Sequence, residues 1–141
     1  ARDVACGRSF SLCLNADGNV YSWGDGADGA LGHGDKARVA IPTKVKALEG
    51  KGVVQVAAGR DSSFALCQDG RVFSWGRSDY GQLAQNRSSR YLLTPTEVSG
   101  LAGKGVAKVA CGNLHSAALT RDGKVFTWGM NQHGQLGVGT T

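Results

Sequence analysis

Val109-Ala110-Cys111-Gly112, followed by His115-Ser116, Asp122-Gly123 and Trp128-Gly129, decides the fold, because the chain writes this string three times. Val4-Ala5-Cys6-Gly7 and Val56-Ala57-Ala58-Gly59 are its earlier copies, at offsets of 52 and then 53 residues. Asp17-Gly18 and Asp69-Gly70, Trp23-Gly24 and Trp75-Gly76, and the Gly-x-Leu elements at Gly29, Gly81 and Gly134 keep the same spacing. A period near fifty residues marks stacked supersecondary units rather than one irregular core.

Within a unit, Val20-Tyr21-Ser22-Trp23, Val72-Phe73-Ser74-Trp75 and Val125-Phe126-Thr127-Trp128 are short, β-branched and aromatic, and each follows Asp-Gly. They read as strands leaving two-residue type I′ hairpins, since Gly accepts positive φ and Asp tolerates it. Ser11 to Leu14, Ser63 to Leu66 and Ser116 to Leu119 are the hairpin partners, with the Val-Ala-x-Gly strand upstream of each. Pro42-Thr43-Lys44-Val45 and Pro95-Thr96-Glu97-Val98 read as a fourth strand, with Pro at its start because it lacks a donor. Four short antiparallel strands per period make an all-β chain of propeller blades. The whole chain, 1–141, is expected to be a partial β-propeller with units of approximately 1–41, 42–94 and 95–141. Tyr21 with Trp23 share one face of a strand, and Val20 with Ser22 the other. Stacked blades then nest bulky faces against small ones, which assigns the three Trp residues to the core.

Hydrophobic content of 41% with 19% charged residues suits a folded chain. No apolar run reaches the roughly 18–20 residues that a membrane span needs. The net charge of +5 is spread over all units, the pattern of solvated loops and edges, although a basic patch could also serve an acidic protein or nucleic acid. Cys6 aligns with Ala58 and Cys111, and Cys13 with Ala65 and Ala118, so cysteine stands where a small packing residue is wanted. With no C-x-x-C pair, zinc and redox motifs are not expected, and free thiols place the chain inside the cell, cytoplasmic or nuclear. A chain that opens on Ala1 is expected to be processed, trimmed or a fragment.

The third unit, with Val109 to Gly112, His115-Ser116, Leu119-Thr120, Asp122-Gly123, Trp128-Gly129, Asn131 and Gly134-Gln135-Leu136-Gly137, closely resembles the repeat of the regulator of chromosome condensation family. The resemblance spans nearly the whole chain and implies a propeller of seven blades. Phe10 and Ser62 replace the family-like His115, and Ala84 replaces the last Gly of its element, so units one and two are less typical.

The copies also test each chemical motif. Gly24-Asp25-Gly26-Ala27-Asp28-Gly29 has the G-x-G-x-x-G form, but no helix follows and the other copies keep only the outer glycines. A dinucleotide loop is therefore not expected. Asp25, Asp28 and Asp35 align with Arg77, Tyr80 and Arg87, which argues against calcium. Nothing in the sequence assembles His33, His115 or His133 with a Ser and an Asp. Catalytic, cofactor and metal sites are all expected to be absent.

The residues that break the repeat remain as candidates for partner binding: Arg60, Asp61, Arg77, Asp79, Tyr80, Arg87, Arg90 and Tyr91. Arg and Tyr are favoured in binding hot spots. The expected function is a non-enzymatic protein-interaction scaffold. The resemblance also implies two alternatives, nucleotide exchange on a small Ran-like GTPase and chromatin binding. Three blades cannot close a ring, so the remaining blades are expected in the parent chain or in neighbouring copies.

Overall fold

The computed structural model describes residues 2–26, 29–78, 83, 91–112 and 114–129. Three antiparallel sheets follow one another along the chain. The first is β1 (Asp3–Cys6), β2 (Phe10–Leu14), β3 (Val20–Gly24) and β4 (Val39–Lys44), paired in that order. The second repeats it with β5 (Val53–Ala58), β6 (Ser62–Cys67), β7 (Val72–Arg77) and β8 (Tyr91–Glu97). Among the described residues the third has β9 (Val106–Cys111), β10 (His115–Thr120) and β11 (Val125–Gly129). These are the blades of a propeller, and short 3-10 turns at Lys46–Leu48 and Ser99–Leu101 lead from one blade to the next.

Two local expectations are corrected. The Asp-Gly steps do not form two-residue type I′ turns: the Gly18 N–H donates to the Asn15 carbonyl at 3.1 Å, and the Asn15 N–H to Asn19 at 3.0 Å. That closes a three-residue loop with Gly18 last, at φ 81°, the arrangement of a turn followed by a glycine bulge. Gly70 and Gly123 close the same loop onto Cys67 and Thr120. The fourth strand also begins earlier than its proline and belongs to the sheet before it. β4 pairs with β3, Ser22 opposite Thr43 and Gly24 opposite Val39, so an irregularity accommodates Ala40 to Pro42. β4 is the outer edge of its sheet, where the N–H that Pro42 lacks has no strand to meet.

The nesting of faces is as the alternation predicts, but of the three Trp residues expected in the core only Trp75 is fully buried: Trp23 lies on an outer face without a blade against it, and Trp128 is half-buried. One core cluster joins Leu12, Leu14, Val20 and Leu31 of the first blade to Val53, Val56, Ala65, Phe73 and Trp75 of the second. A second cluster joins the equivalent Phe64, Leu66, Val72 and Leu83 to Val106, Val109 and Ala118, with Phe126 and Trp128 against its margin. Phe64 and Trp128 meet with ring centroids 5.9 Å apart. Each aromatic face therefore looks back at the preceding blade. The two outer faces show the same positions without cover: Val20 and Val72 are 0% and 1% exposed but Val125 is 63%, and Val4 is 58% exposed against 4% for Val56.

Polar bonds knit the blades as well. The Ala30 carbonyl accepts from the Ser63 hydroxyl at 2.7 Å and the Trp75 indole N–H at 2.8 Å, both from the following blade. On the inner strands, Gln55 exchanges two hydrogen bonds with the backbone of Val109, at 2.7 and 3.0 Å. Asp3, its counterpart, accepts the Val56 N–H at 3.1 Å. The Trp-Gly step has its own reason. Gly76 sits at φ 106°, and a Cβ there would lie 2.5 Å from the Asp61 carbonyl oxygen.

Within a blade, Ser22 pins the loop after β3 by donating to the Leu31 carbonyl at 2.7 Å, and Ser74 does the same to Leu83 at 2.8 Å. In the first blade His33 joins this pin, its Nε2 lying 2.9 Å from Ser22 Oγ. A hydroxyl has one proton, and Leu31 takes it, so Nε2–H donates to Ser22 and the lone pair is on Nδ1. Burial holds the His33 pKa below the 6.5 of a free imidazole, against the opposing pull of Asp35 and of Ser22.

Trp75→Ala is expected to destabilise the chain by about 3–5 kcal/mol, and Trp23→Ala by clearly less, because Trp23 occupies an uncovered outer face; urea unfolding compares them. As pH falls below 6.5, the unfolded chain takes up a proton at His33 that the folded chain resists. Stability is then complete above that pH and is lost as pH falls toward the lowered folded value. His33→Gln, which copies Gln85 of the second unit, should flatten the fall in melting temperature on acidification.

Candidate functional site

The strand ends divide the molecule into two rims. One carries the hairpins at Gly18, Gly70 and Gly123, and the other carries the loops between first and second strands together with those leaving the third. Of the candidate residues, the four that the structure describes, Arg60, Asp61, Arg77 and Tyr91, lie on the second rim.

Arg60 and Asp61 lie in the loop between β5 and β6, and Arg77 ends β7. The Arg77 N–H donates to the Asp61 carbonyl at 2.9 Å, which brings the two loops together. The Asp61 carboxylate then stands between the cations, 3.7 Å from Arg60 Nε and 3.7 Å from Arg77 Nη1. Both distances are ion pairs rather than hydrogen bonds, and Asp61 Oδ2 is buried without a hydrogen-bond partner among the described residues. Tyr91, at the start of β8, is the strand partner of Arg77, and the Lys36 ammonium sits 3.8 Å above its ring. Arg60, Asp61, Arg77 and Tyr91 thus form one strip, which their separation along the sequence does not reveal. Asp79, Tyr80, Arg87 and Arg90 lie outside the described residues.

Beside the strip, toward the inner strands, a cavity of about 490 Å³ opens among the Val-Ala-x-Gly ends of all three blades. Arg8 and Arg60 are its charged lining residues, on adjacent loops tied by the Arg8 N–H to the Arg60 carbonyl at 2.9 Å. Arg8 and Arg60 are repeat equivalents, a coincidence that the sequence shows but that gains meaning only when both residues line one cavity.

Ser22 with His33 is the one Ser–His contact among the described residues, and sequence reasoning did not anticipate it. It is wired the wrong way for a nucleophile, since the serine proton is held by a carbonyl and the imidazole donates rather than accepts. Ser22 is also fully buried. A second cavity, of about 510 Å³, has His33 and Asp35 in its wall with Lys44 and Lys46. Among the described residues no three His, Cys, Asp or Glu side chains converge to hold a metal. All four cysteines are free; burial raises the thiol pKa of Cys67 and of Cys111 to about 11, far from a reactive thiolate. His115 closes over the glycine that follows β9, its ring set where a Gly112 side chain would be, so its role is packing at the inner strand end.

Comparison with known proteins agrees with this architecture. The family model described as the regulator of chromosome condensation (RCC1) repeat matches residues 17–66 and 69–119, and a second model of the same description matches 1–30, 53–82 and 106–135. The human E3 ubiquitin-protein ligase HERC2 is 45% identical over 141 residues, covering 99% of this chain and 3% of that protein. The crystal structure of human WBSCR16 is 42% identical with a TM-score of 0.84, over 90% of this chain and 32% of that one. Prp20p from Saccharomyces cerevisiae shares the fold, with a TM-score of 0.80 at 24% identity over 95% of this chain and 32% of that one. The chain spans about a third or less of each of these proteins. Three blades of one repeated sheet, with the matching motifs in register, make this chain a member of the regulator of chromosome condensation (RCC1) repeat family.

Proposed function

We propose that the chain is a non-enzymatic protein-interaction scaffold, part of an RCC1-type propeller whose loop rim docks a protein partner. The observation that carries this reading is Asp61. A buried carboxylate oxygen without a hydrogen bond costs on the order of 1–3 kcal/mol, yet this one stands between two arginines at the loop rim; among the described residues the other such buried side-chain atom is Ser116 Oγ, within a strand. A polar arrangement that is suboptimal for folding, at a loop rim of a rigid frame, is what a recognition site needs. The free thiols support a reducing compartment, cytoplasmic or nuclear. No helix among the described residues is long and apolar enough to cross a membrane.

The uncovered Val4 and Val125 faces support further blades on either side, from the same polypeptide or from neighbouring copies. The relatives offer a second reading. Prp20p has binding properties to Gsp1p and to histones, which belong to that protein and motivate nucleotide exchange or chromatin binding as alternatives here.

One experiment separates them. Cell-extract proteins captured on the immobilised chain should lose a defined subset when Arg60 and Arg77 are changed to Ala, and none when Arg71 and Lys124 on the opposite rim are changed. In parallel the chain should leave the rate of nucleotide release from a Ran-like GTPase unchanged. Faster release would replace the scaffold reading with exchange, and equal losses from both rims would remove the loop rim as the docking surface.

A further inference from the structure

The cavity at the inner strand ends allows the partner's chemistry to be named, on the footing of the scaffold reading. We infer that Arg8 and Arg60 form an anion-reading mouth for an acidic peptide segment of a partner protein, with Asp or Glu side chains entering between the two guanidinium groups.

Three features lead there. The cavity wall is otherwise made by glycine, alanine and cysteine, so the guanidiniums are its recognition groups and nothing bulky blocks a side chain from entering. Neither guanidinium donates a hydrogen bond within the described residues, which leaves planar forks shaped for carboxylates. The mouth is also held open in advance. The backbone bond from Arg8 to the Arg60 carbonyl fixes the spacing of the two loops, and Asp61 draws Arg60 by charge from 3.7 Å without occupying a hydrogen-bonding position. Such preorganisation lowers the ordering cost of binding.

The charge pattern selects a peptide over a nucleic acid. Duplex DNA presents a charge about every 1.7 Å along its axis and calls for an unbroken basic track. Here the basic residues are interrupted: Asp25 stands in the first blade where Arg77 stands in the second, and Asp61 lies between Arg60 and Arg77. Among the described residues of the rim loops, Arg8, Lys36, Arg38, Arg60 and Arg77 stand against Asp25, Asp35 and Asp61, a small positive excess suited to a few carboxylates.

The test selects short random peptides, displayed on phage, on the intact chain and measures the winners by fluorescence anisotropy. Asp and Glu should be enriched, and affinity should fall by about tenfold or more in Arg8→Ala and in Arg60→Ala. Arg8→Glu combined with Arg60→Glu should reverse the preference, binding versions of the same peptides with Lys in place of the acids. Arg8 is exposed, so Arg8→Ala carries the test even if a change at the half-buried Arg60 disturbs folding; buried Trp75 fluorescence reports on that. Peptides without acidic enrichment, or acidic peptides that bind both arginine variants unchanged, overturn the proposal. So does tighter binding of duplex DNA through the same arginines. If peptide binding is lost only through other rim residues, this mouth is excluded while the scaffold reading stands.

Discussion

A single backbone oxygen, that of Ala30, carries much of what makes separate sheets into one body. It is buried, and a buried carbonyl must find donors. Its own blade supplies none of the two it uses; Ser63 and the Trp75 indole come from the next one. The loop that presents Ala30 is fixed in turn by Ser22, whose hydroxyl holds the neighbouring Leu31 carbonyl. A serine thus sets a loop in one blade, and that loop orients a serine and a tryptophan in the next. Hydrophobic burial supplies most of the energy, but these directional bonds fix the register in which blades can stack.

This division of labour constrains where function can sit. Faces are consumed by stacking, inner strands by bonds such as those of Gln55 to Val109, and hairpins by their own closing turns. The rim opposite the hairpins is left, where Arg recurs at the equivalent positions 8 and 60, but Ser9 gives way to Asp61 and Asp25 to Arg77. The frame repeats there, and its chemistry varies. An interaction surface can then be tuned residue by residue with little effect on the stacking beneath it.

The sequence displayed the parts governed by period. Trp75, Val56, Leu66 and Gly76 recur because each holds the same place in its blade and meets the same kind of neighbour wherever another blade covers it, so the architecture and its core were legible. Local geometry was less so, because one dipeptide serves several turns: Asp17-Gly18 suits a two-residue hairpin as well as the three-residue loop closed by Asn15. Pro42 misled for a related reason, since an edge strand with a bulge tolerates it at the middle as well as at the start. The strip itself could be named residue by residue but not assembled. Arg60, Asp61 and Arg77 are brought together by a hydrogen bond between loops, and no spacing rule encodes it. The Ser22–His33 contact was hidden in the same way, by a loop whose path only the fold determines.

The placement of β4 has a consequence for how such chains can grow. Because Val39–Lys44 closes the first sheet while lying next to the segment that begins the second, a sequence unit counted from this strand spans two sheets. Copying one unit in a gene adds an outer strand to one blade and the three inner strands of another, and every new surface it creates already has its mate. Lengthening by whole units is therefore conservative, whereas a loss or gain of half a unit leaves a strand with no sheet to join. Blade number can drift over evolution in whole steps, and the rim loops can diverge freely between them.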